Sequence, residues 1–490
     1  MQRPGRYPRE MISPTRAHAV VLAAVLAIGV FYWATLREGH DWGGDFGLYI
    51  THTRNISEGL PYGQTGFIWN PDFASHSPRT YPPLFPALLA PVYRMYGLDL
   101  NAMKAVVVAF FVLCLLTLYG LFRSDLPFPY VMALILLTGL SPVFWNFKEH
   151  ILPDITFIFF TWLSLVLYLE GQRRMETGGR WLLLAVGLGL SMYLAYGTRS
   201  LGLILPFVFA ARDIRRKRFR RPTLVAVALF ALPASVQYSL LHDEKSYWDM
   251  FRLASSVPID NAWFYIRELT ALWDNGFFRP AAVLLYGATA ALALRSYLPR
   301  LFRGWGPVEL FVAGYVALVL IWSAARGLRY LMPVVPLYFF YIVDGFHRLV
   351  SAARPAWRKG LAVGAGAVVL ATYAGAYAKR DFGSIAGGVR TPGFLALTAY
   401  INGHTQPADV FIFWNPRVLS LYTRRPAAVY SQTNDQQAHW RFFRSINARY
   451  IVVGGDYRGD VLYLQPFVDA NRAGLEEVYS NAGFTLYRIR

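Results

Sequence analysis

Cysteine is almost missing from this 490-residue chain. Cys114 stands alone inside an apolar run, so neither an intramolecular disulfide nor a cysteine-based metal site can form. Charge is scarce as well. Charged residues are 16% of the chain, where a soluble domain runs near ~25%. Acid is scarcer than base: 29 Asp+Glu stand against 48 Lys+Arg, a formal net charge of +19. What is present is apolar mass, with 55% hydrophobic and 16% aromatic residues. Intrinsic disorder, collagen, a disulfide scaffold and a soluble globular enzyme are excluded by this balance.

The basic excess does not point to nucleic acid. Its charges lie in short clusters between long uncharged runs rather than on one face or in one domain. That distribution sets the orientation of a membrane protein. The first candidate span, Ala17–Leu36, follows Arg3, Arg6, Arg9 and Arg16 and lacks a small-residue cleavage site. It reads as an uncleaved anchor with its N-terminus in the cytoplasm. Further spans are expected at 102–122, 127–146, 152–170, 181–197, 200–211, 222–241, 280–296, 307–325, 330–346 and 360–378, about eleven in all. The segment Tyr81–Tyr96 opens with Pro82-Pro83 and is broken by Pro86 and Pro91, so it reads as a helix at or dipping into the surface.

This order places every strong basic cluster inside, including RDIRRKRFRR (212–221) with seven positive charges. Three parts then face outward: a first loop at 37–100, a loop at 242–279 and the tail 379–490. The tail reads as a small α/β domain. VFIFW (410–414), AAVY (427–430), RYIVVGG (449–455), LEEVYSN and FTLYRI are strand-like, and 461–474 is helix-like. The fold class expected is therefore mainly α: a polytopic helical bundle (1–378) carrying a small extracytoplasmic α/β domain (379–490). No internal repeat or low-complexity segment is evident.

Scarce acids make each outer carboxylate informative. Asp45 follows two glycines in Asp41-Trp42-Gly43-Gly44-Asp45, just outside the first span. It can act as a general base, as a metal ligand or as an ordinary solvated loop residue. Lys148-Glu149-His150-Ile151-Leu152-Pro153-Asp154 opens the fourth span. Asp154 there can cap the helix, and it shares a helical face with His150 if the helix starts early enough. Arg199, Arg326 and Arg329 lie on the outer side at membrane depth, against the positive-inside rule. They suit an anionic group such as phosphate, or they snorkel to lipid head groups. Outer aromatics, among them Tyr49, Tyr62, Phe67, Trp69, Tyr247, Trp248, Trp263 and Tyr265, suit either sugar stacking or an interfacial belt. No motif in the tail names a site, the YTRR run (422–425) included.

The order GGDFGLYITHTRNISEGLPYG, YPPLFPALLAPVYRMYG, ILPDITFIFF, YGTRSLGLILP and RYLMPVVP, over roughly residues 17–346, resembles the GT-C glycosyltransferases. The resemblance is to the protein O-mannosyltransferase and lipid A aminoarabinose transferase type. The single Cys and the Arg-rich loops fit an integral protein of the bacterial inner membrane, and the resemblance implies a glycosyltransferase. It would move a hexosyl or pentosyl unit from a polyprenyl-phosphate donor to a glycan, lipid or protein acceptor. Asp45 is then the expected catalytic base of an inverting displacement, and Asp154 the second carboxylate. In some relatives this pair helps hold a divalent metal. Arg199, Arg329, Arg326 and Arg79 are the expected phosphate contacts, with Tyr81, His150 and Tyr330 beside them. The chain departs from several relatives by carrying Tyr81 where they have a basic residue, with Arg79 two residues earlier. It also has a single Asp where they have an acidic pair. A transporter for a lipid-linked intermediate, or another transferase acting on one, are the rival readings.

Overall fold

The computed structural model describes residues 13–73, 80–217, 220–241, 257–323, 326–455 and 457–490. Arg3, Arg6, Arg9, Arg79, Arg218, Tyr247 and Trp248 lie outside the described residues. The chain opens with α1 (Pro14–Ala34), its first turn capped by the Ser13 hydroxyl. The first loop then forms α2 (Gly44–Glu58), a two-residue strand β1 (Phe67–Ile68) and α3 (Leu84–Tyr96). Next comes α4 (Leu100–Phe122), where the Asp99 carboxylate accepts the Asn101 and Ala102 amides.

The stretch 127–146, expected as one span, is two helices: α5 (Phe128–Gly139) and α6 (Pro142–Phe147). Pro142 has no N–H to continue the ladder, and Ser141 before it is extended. Then follow α7 (Asp154–Glu176), α8 (Leu182–Thr198), a 3-10 turn at Ser200–Leu203, α9 (Ile204–Arg215), α10 (Arg221–Leu241) and α11 (Val257–Leu269). The bundle ends with α12 (Arg279–Pro299), α13 (Pro307–Ile321), a 3-10 turn at Leu328–Leu331, α14 (Val335–Ala352) and α15 (Pro355–Ala378).

Among the described residues, six helices are long and apolar enough to cross a membrane: α1, α4, α7, α10, α12 with the turn after it, and α15. The shorter apolar helices are α5, α8 and α13. Of the six, α7 is the most enclosed, and α12 and α15 are the least. It runs between α4 and α8, so its first residue, Asp154, is delivered to the middle of the bundle's end rather than to its rim.

The C-terminal region contains α16 (Pro392–His404), β2 (Val410–Ile412), α17 (Pro416–Thr423), β3 (Ala427–Ala428), α18 (Gln436–Ser445), β4 (Ala448–Gly454), α19 (Gln465–Ala470), β5 (Leu475–Ser480) and β6 (Phe484–Ile489). The strands form one sheet of order β1-β3-β2-β4-β6-β5. The first four run parallel, while β6 and β5 are antiparallel to their neighbours. Strand β1 comes from the first loop and pairs Phe67 with Ala427, so loop and tail share a single sheet.

The pleat sorts the sheet's side chains onto two cores. On β4, Tyr450 and Val452 join the core that continues into the bundle. Ile451 and Val453 join a separate core under α18 and α19 with Phe442, Phe443 and Phe467. Trp42 of the first loop packs edgewise on Phe394, Phe413 and Phe484. The sheet is thereby fixed over the first loop by apolar packing, not tethered by chain alone.

Candidate active site

Asp45 lies in the first turn of α2, where the helix dipole favours a carboxylate. Sequence reading treats it as a loop residue. The structure makes it the N-terminal acid of a helix whose residues Phe46 to Asn55 are all buried. Its Oδ1 accepts hydrogen bonds from the Tyr81 hydroxyl at 2.8 Å and the Arg417 guanidinium at 3.0 Å. Its Oδ2 pairs with Arg329 at 2.8 Å. Burial acts to raise its pKa, but the Arg329 and Arg417 charges and the Tyr81 hydroxyl outweigh it and hold the carboxyl down at about 2.

Tyr81 is held from several sides. Its ring stacks on Tyr49 at 4.5 Å between centroids. Its amide donates to His52 Nε2 at 3.3 Å, and its carbonyl accepts from the Tyr62 hydroxyl at 2.8 Å. His52 Nδ1 in turn donates to the Tyr62 carbonyl at 2.9 Å. Burial keeps His52 neutral, with its pKa down at about 4. Thus Tyr81 is fixed with its hydroxyl on the Asp45 carboxylate.

Arg417 is the residue that sequence reading missed. It sits in the first turn of α17, is buried, and lies over the rings of Phe67 and Tyr81 at 4.7 and 5.6 Å. The signal was present. Asn415-Pro416 is a helix start, and Asn415 caps α17 by accepting the Val418 amide. A cation in the first turn opposes the dipole, so Arg417 requires an acid from elsewhere. The approach of α17 to α2 depends on Gly47. A Cβ there would meet the Arg417 carbonyl oxygen at 3.1 Å and the Val418 nitrogen at 3.2 Å. The glycine demand sits there, whereas Gly43 has extended backbone with negative φ (−56°, ψ 119°) that any residue adopts.

Asp154 is fully buried and pairs through Oδ1 with Arg199, while its Oδ2 has no hydrogen-bond partner. Arg199 is extended backbone between α8 and the following 3-10 turn, which turns its side chain out of the helix. Tyr330 lies under both Arg199 and Arg329, at 5.5 and 5.2 Å. Asp45, Tyr81, Arg329, Arg417, Tyr330, Arg199 and Asp154 therefore form one connected set. Arg326 does not join it: this residue is exposed and pairs with neither carboxylate. Arg79 lies outside the described residues.

His150 and Asp154 do not share a helical face, because α7 starts only at Asp154, after Pro153. Instead His150 Nδ1 faces Asp41 at 3.5 Å. Glu149 is buried between Lys104 at 2.8 Å and Lys148, and it accepts the Arg37 amide. This network ties the end of α1 to α4 and α6, which is a structural task.

Among the described residues, His40, Asp41 and His150 bring ligand atoms within 4.8 Å of one another, as a metal site would. The hydrogen bonds argue otherwise. His40 Nε2 accepts the Ile151 amide at 3.2 Å, so the ring proton is on Nδ1, directed at Asp41 at 2.9 Å. A metal-ligating histidine donates from its second nitrogen rather than accepting there. Asp45 and Asp154, the pair expected from the resemblance to hold a metal, already hold guanidinium groups. Neither set fits a resident divalent ion.

No protein-family profile matches the chain, and no curated protein matches its sequence. Solved structures match nearly its whole length. ArnT from Cupriavidus metallidurans, bound to undecaprenyl phosphate, aligns with a TM-score of 0.57 at 14% identity, over 97% of this chain and 98% of that one. The archaeal oligosaccharyltransferase AglB from Archaeoglobus fulgidus, in complex with an inhibitory peptide and a dolichol-phosphate, aligns at 0.63 and 15%, over 96% and 74%. The arabinofuranosyltransferase AftD from Mycobacteria aligns at 0.57 and 12%, over 98% of this chain and 40% of its own. At these identities the likeness is one of architecture: the chain has the fold of the GT-C glycosyltransferases.

Proposed function

We propose that this chain is a membrane glycosyltransferase. It moves a sugar from a polyprenyl-phosphate-linked donor to a glycan, lipid or protein acceptor on the outer face of the bacterial plasma membrane. The N-terminus is cytoplasmic, and the C-terminal domain is on the side of the chemistry. The observation that carries this reading is the pairing of Asp45, at the start of α2, with Arg329 from the bundle and Arg417 from the sheet domain. One carboxylate amid guanidinium groups provides a base and a cradle for a leaving phosphate in one place. Two of the structures of like fold hold undecaprenyl phosphate and dolichol-phosphate.

Asp45 takes the proton of the attacking hydroxyl or amine as that atom bonds to the anomeric carbon. The bond from that carbon to the phosphate oxygen breaks, and the polyprenyl phosphate leaves with the electron pair. A phosphate leaves without being protonated, so no general acid is required, and one displacement inverts the anomeric centre. Arg329 and Arg417 stabilise the charge that grows on the leaving group. Asp154 holds Arg199 in place, and Tyr330 supports Arg199 and Arg329 from below.

General-base catalysis contributes ~10²–10⁴-fold, so Asp45→Asn is expected to lower the rate by about a hundredfold or more. The assay follows release of polyprenyl phosphate from synthetic polyprenyl-phosphate sugars in nanodiscs. Near-normal release by a folded Asp45→Asn protein removes Asp45 as the base. No release by wild type from any donor, with donor bound, points to transport instead.

A further inference from the structure

A resting base held by two guanidinium groups is a weak one, because its lone pairs are already committed. We propose that Arg329 and Arg417 are exchanged between Asp45 and the donor phosphate, so that donor binding itself releases the base. This rests on the transferase reading and assigns the site a switch. Arg417 becomes a donor-binding residue supplied by the C-terminal sheet domain.

The observations converge on exchange rather than simple addition. Both oxygens of Asp45 are occupied, Oδ1 by Tyr81 and Arg417 and Oδ2 by Arg329. The Arg329 Nε is buried without a hydrogen-bond partner. The resting pairing with Asp45 thus leaves part of the Arg329 fork unused, and a phosphate that takes the guanidinium from the carboxylate can engage it in bidentate fashion. Charge agrees. Arg199, Arg329 and Arg417 face Asp45 and Asp154, which leaves the cluster one positive charge in excess. A polyprenyl-phosphate sugar is a phosphodiester carrying one negative charge. When the sugar departs, the phosphate becomes a monoester with more negative charge, and its hold on both arginines strengthens in the transition state.

Arg417 can change partner without movement of the domain. Its helix α17 is fixed to α2 by the Gly47 contact, by the Asn415 bond to the Trp42 carbonyl at 2.5 Å and by the Arg424–Glu58 ion pair at 2.8 Å. The Phe67 and Tyr81 rings beneath it hold the guanidinium plane while its edge swings between acceptors. Acceptor deprotonation is thereby made conditional on a bound donor.

The test measures binding of polyprenyl phosphate, without sugar, to the full-length protein in nanodiscs. If carboxylate and phosphate compete for the same cations, Asp45→Asn tightens binding by about tenfold. Arg417→Gln weakens it by about tenfold. Asp41→Asn removes the same charge nearby, from a carboxylate held by histidines rather than arginines, and leaves affinity within about threefold. Unchanged or weaker binding by Asp45→Asn overturns the exchange, as does equal tightening by Asp41→Asn. Should Asp45→Asn fail to fold, wild-type affinity in Arg417→Gln overturns it alone. Absence of binding by wild type overturns the transferase reading, and the exchange with it.

Discussion

Arg417 and Asp45 are separated by most of the sequence and meet at 3.0 Å. Their pairing makes a sharp prediction, because lysine keeps the charge but loses the planar fork. Arg417→Lys is expected to lower kcat/KM for transfer by about tenfold or more, with the melting temperature little changed. A wild-type rate would show that the sheet domain supplies no group to the chemistry. A second expectation concerns metals. Since Asp45 and Asp154 hold arginines and His40 directs a proton at Asp41, transfer should persist in excess chelator. Loss on chelation and recovery with a divalent ion would contradict that geometry. At this scale the sequence was partly legible. Asp45, Asp154, Arg199 and Arg329 stood out because charge is rare and costly at membrane depth. Arg417 did not, because it lies in a region where charge is ordinary.

Among the elements, α2 and α17 decide whether the site exists. Gly47→Ala places a methyl group against the Arg417 backbone, where the neighbour is main chain and cannot step aside cheaply. The expected result is destabilisation of about 1–3 kcal/mol and a loss of transfer larger than the loss of folded protein. Undiminished specific activity would show that the helices have room to spare. Strands β2 to β6 could be read from short runs rich in apolar, β-branched and aromatic residues between turn residues. Strand β1 could not: two residues at a sheet edge carry no period, and their partner is 360 positions away. Nor was α2 legible, since THTRN (51–55) is polar yet buried, with hydrogen bonds such as those of Asn55 to the carbonyls of Pro61, Tyr62 and Gln64. The break between α5 and α6 turned on Pro142, which follows Thr138-Gly139-Leu140-Ser141 in a stretch otherwise apolar enough to read as one span.

Across the whole molecule, a helical bundle supplies Asp154, Arg199 and Arg329, the first loop supplies Asp45 and Tyr81, and the sheet domain supplies Arg417. The domain's own stability should depend on pH. Asp460 is buried, accepting the Tyr430 hydroxyl at 2.5 Å and the Gly454 amide at 2.6 Å. Burial outweighs those bonds and raises its pKa to about 7. Unfolded, an aspartate titrates near ~3.9, so the folded domain binds the proton more tightly. Stability is then fully present below about pH 4 and falls as pH rises to about 7. Asp460→Asn should flatten that slope in thermal melts. An unchanged slope would remove Asp460 as its source.

In the proposed exchange, one cluster serves as base and phosphate cradle by trading partners. The most direct measurement is a structure of the full-length protein in nanodiscs with polyprenyl phosphate bound. Phosphate oxygens are expected within hydrogen-bond distance of Arg329 and Arg417, with the Asp45 carboxylate released from both. A phosphate held elsewhere, with Asp45 still paired to the two arginines, would contradict it.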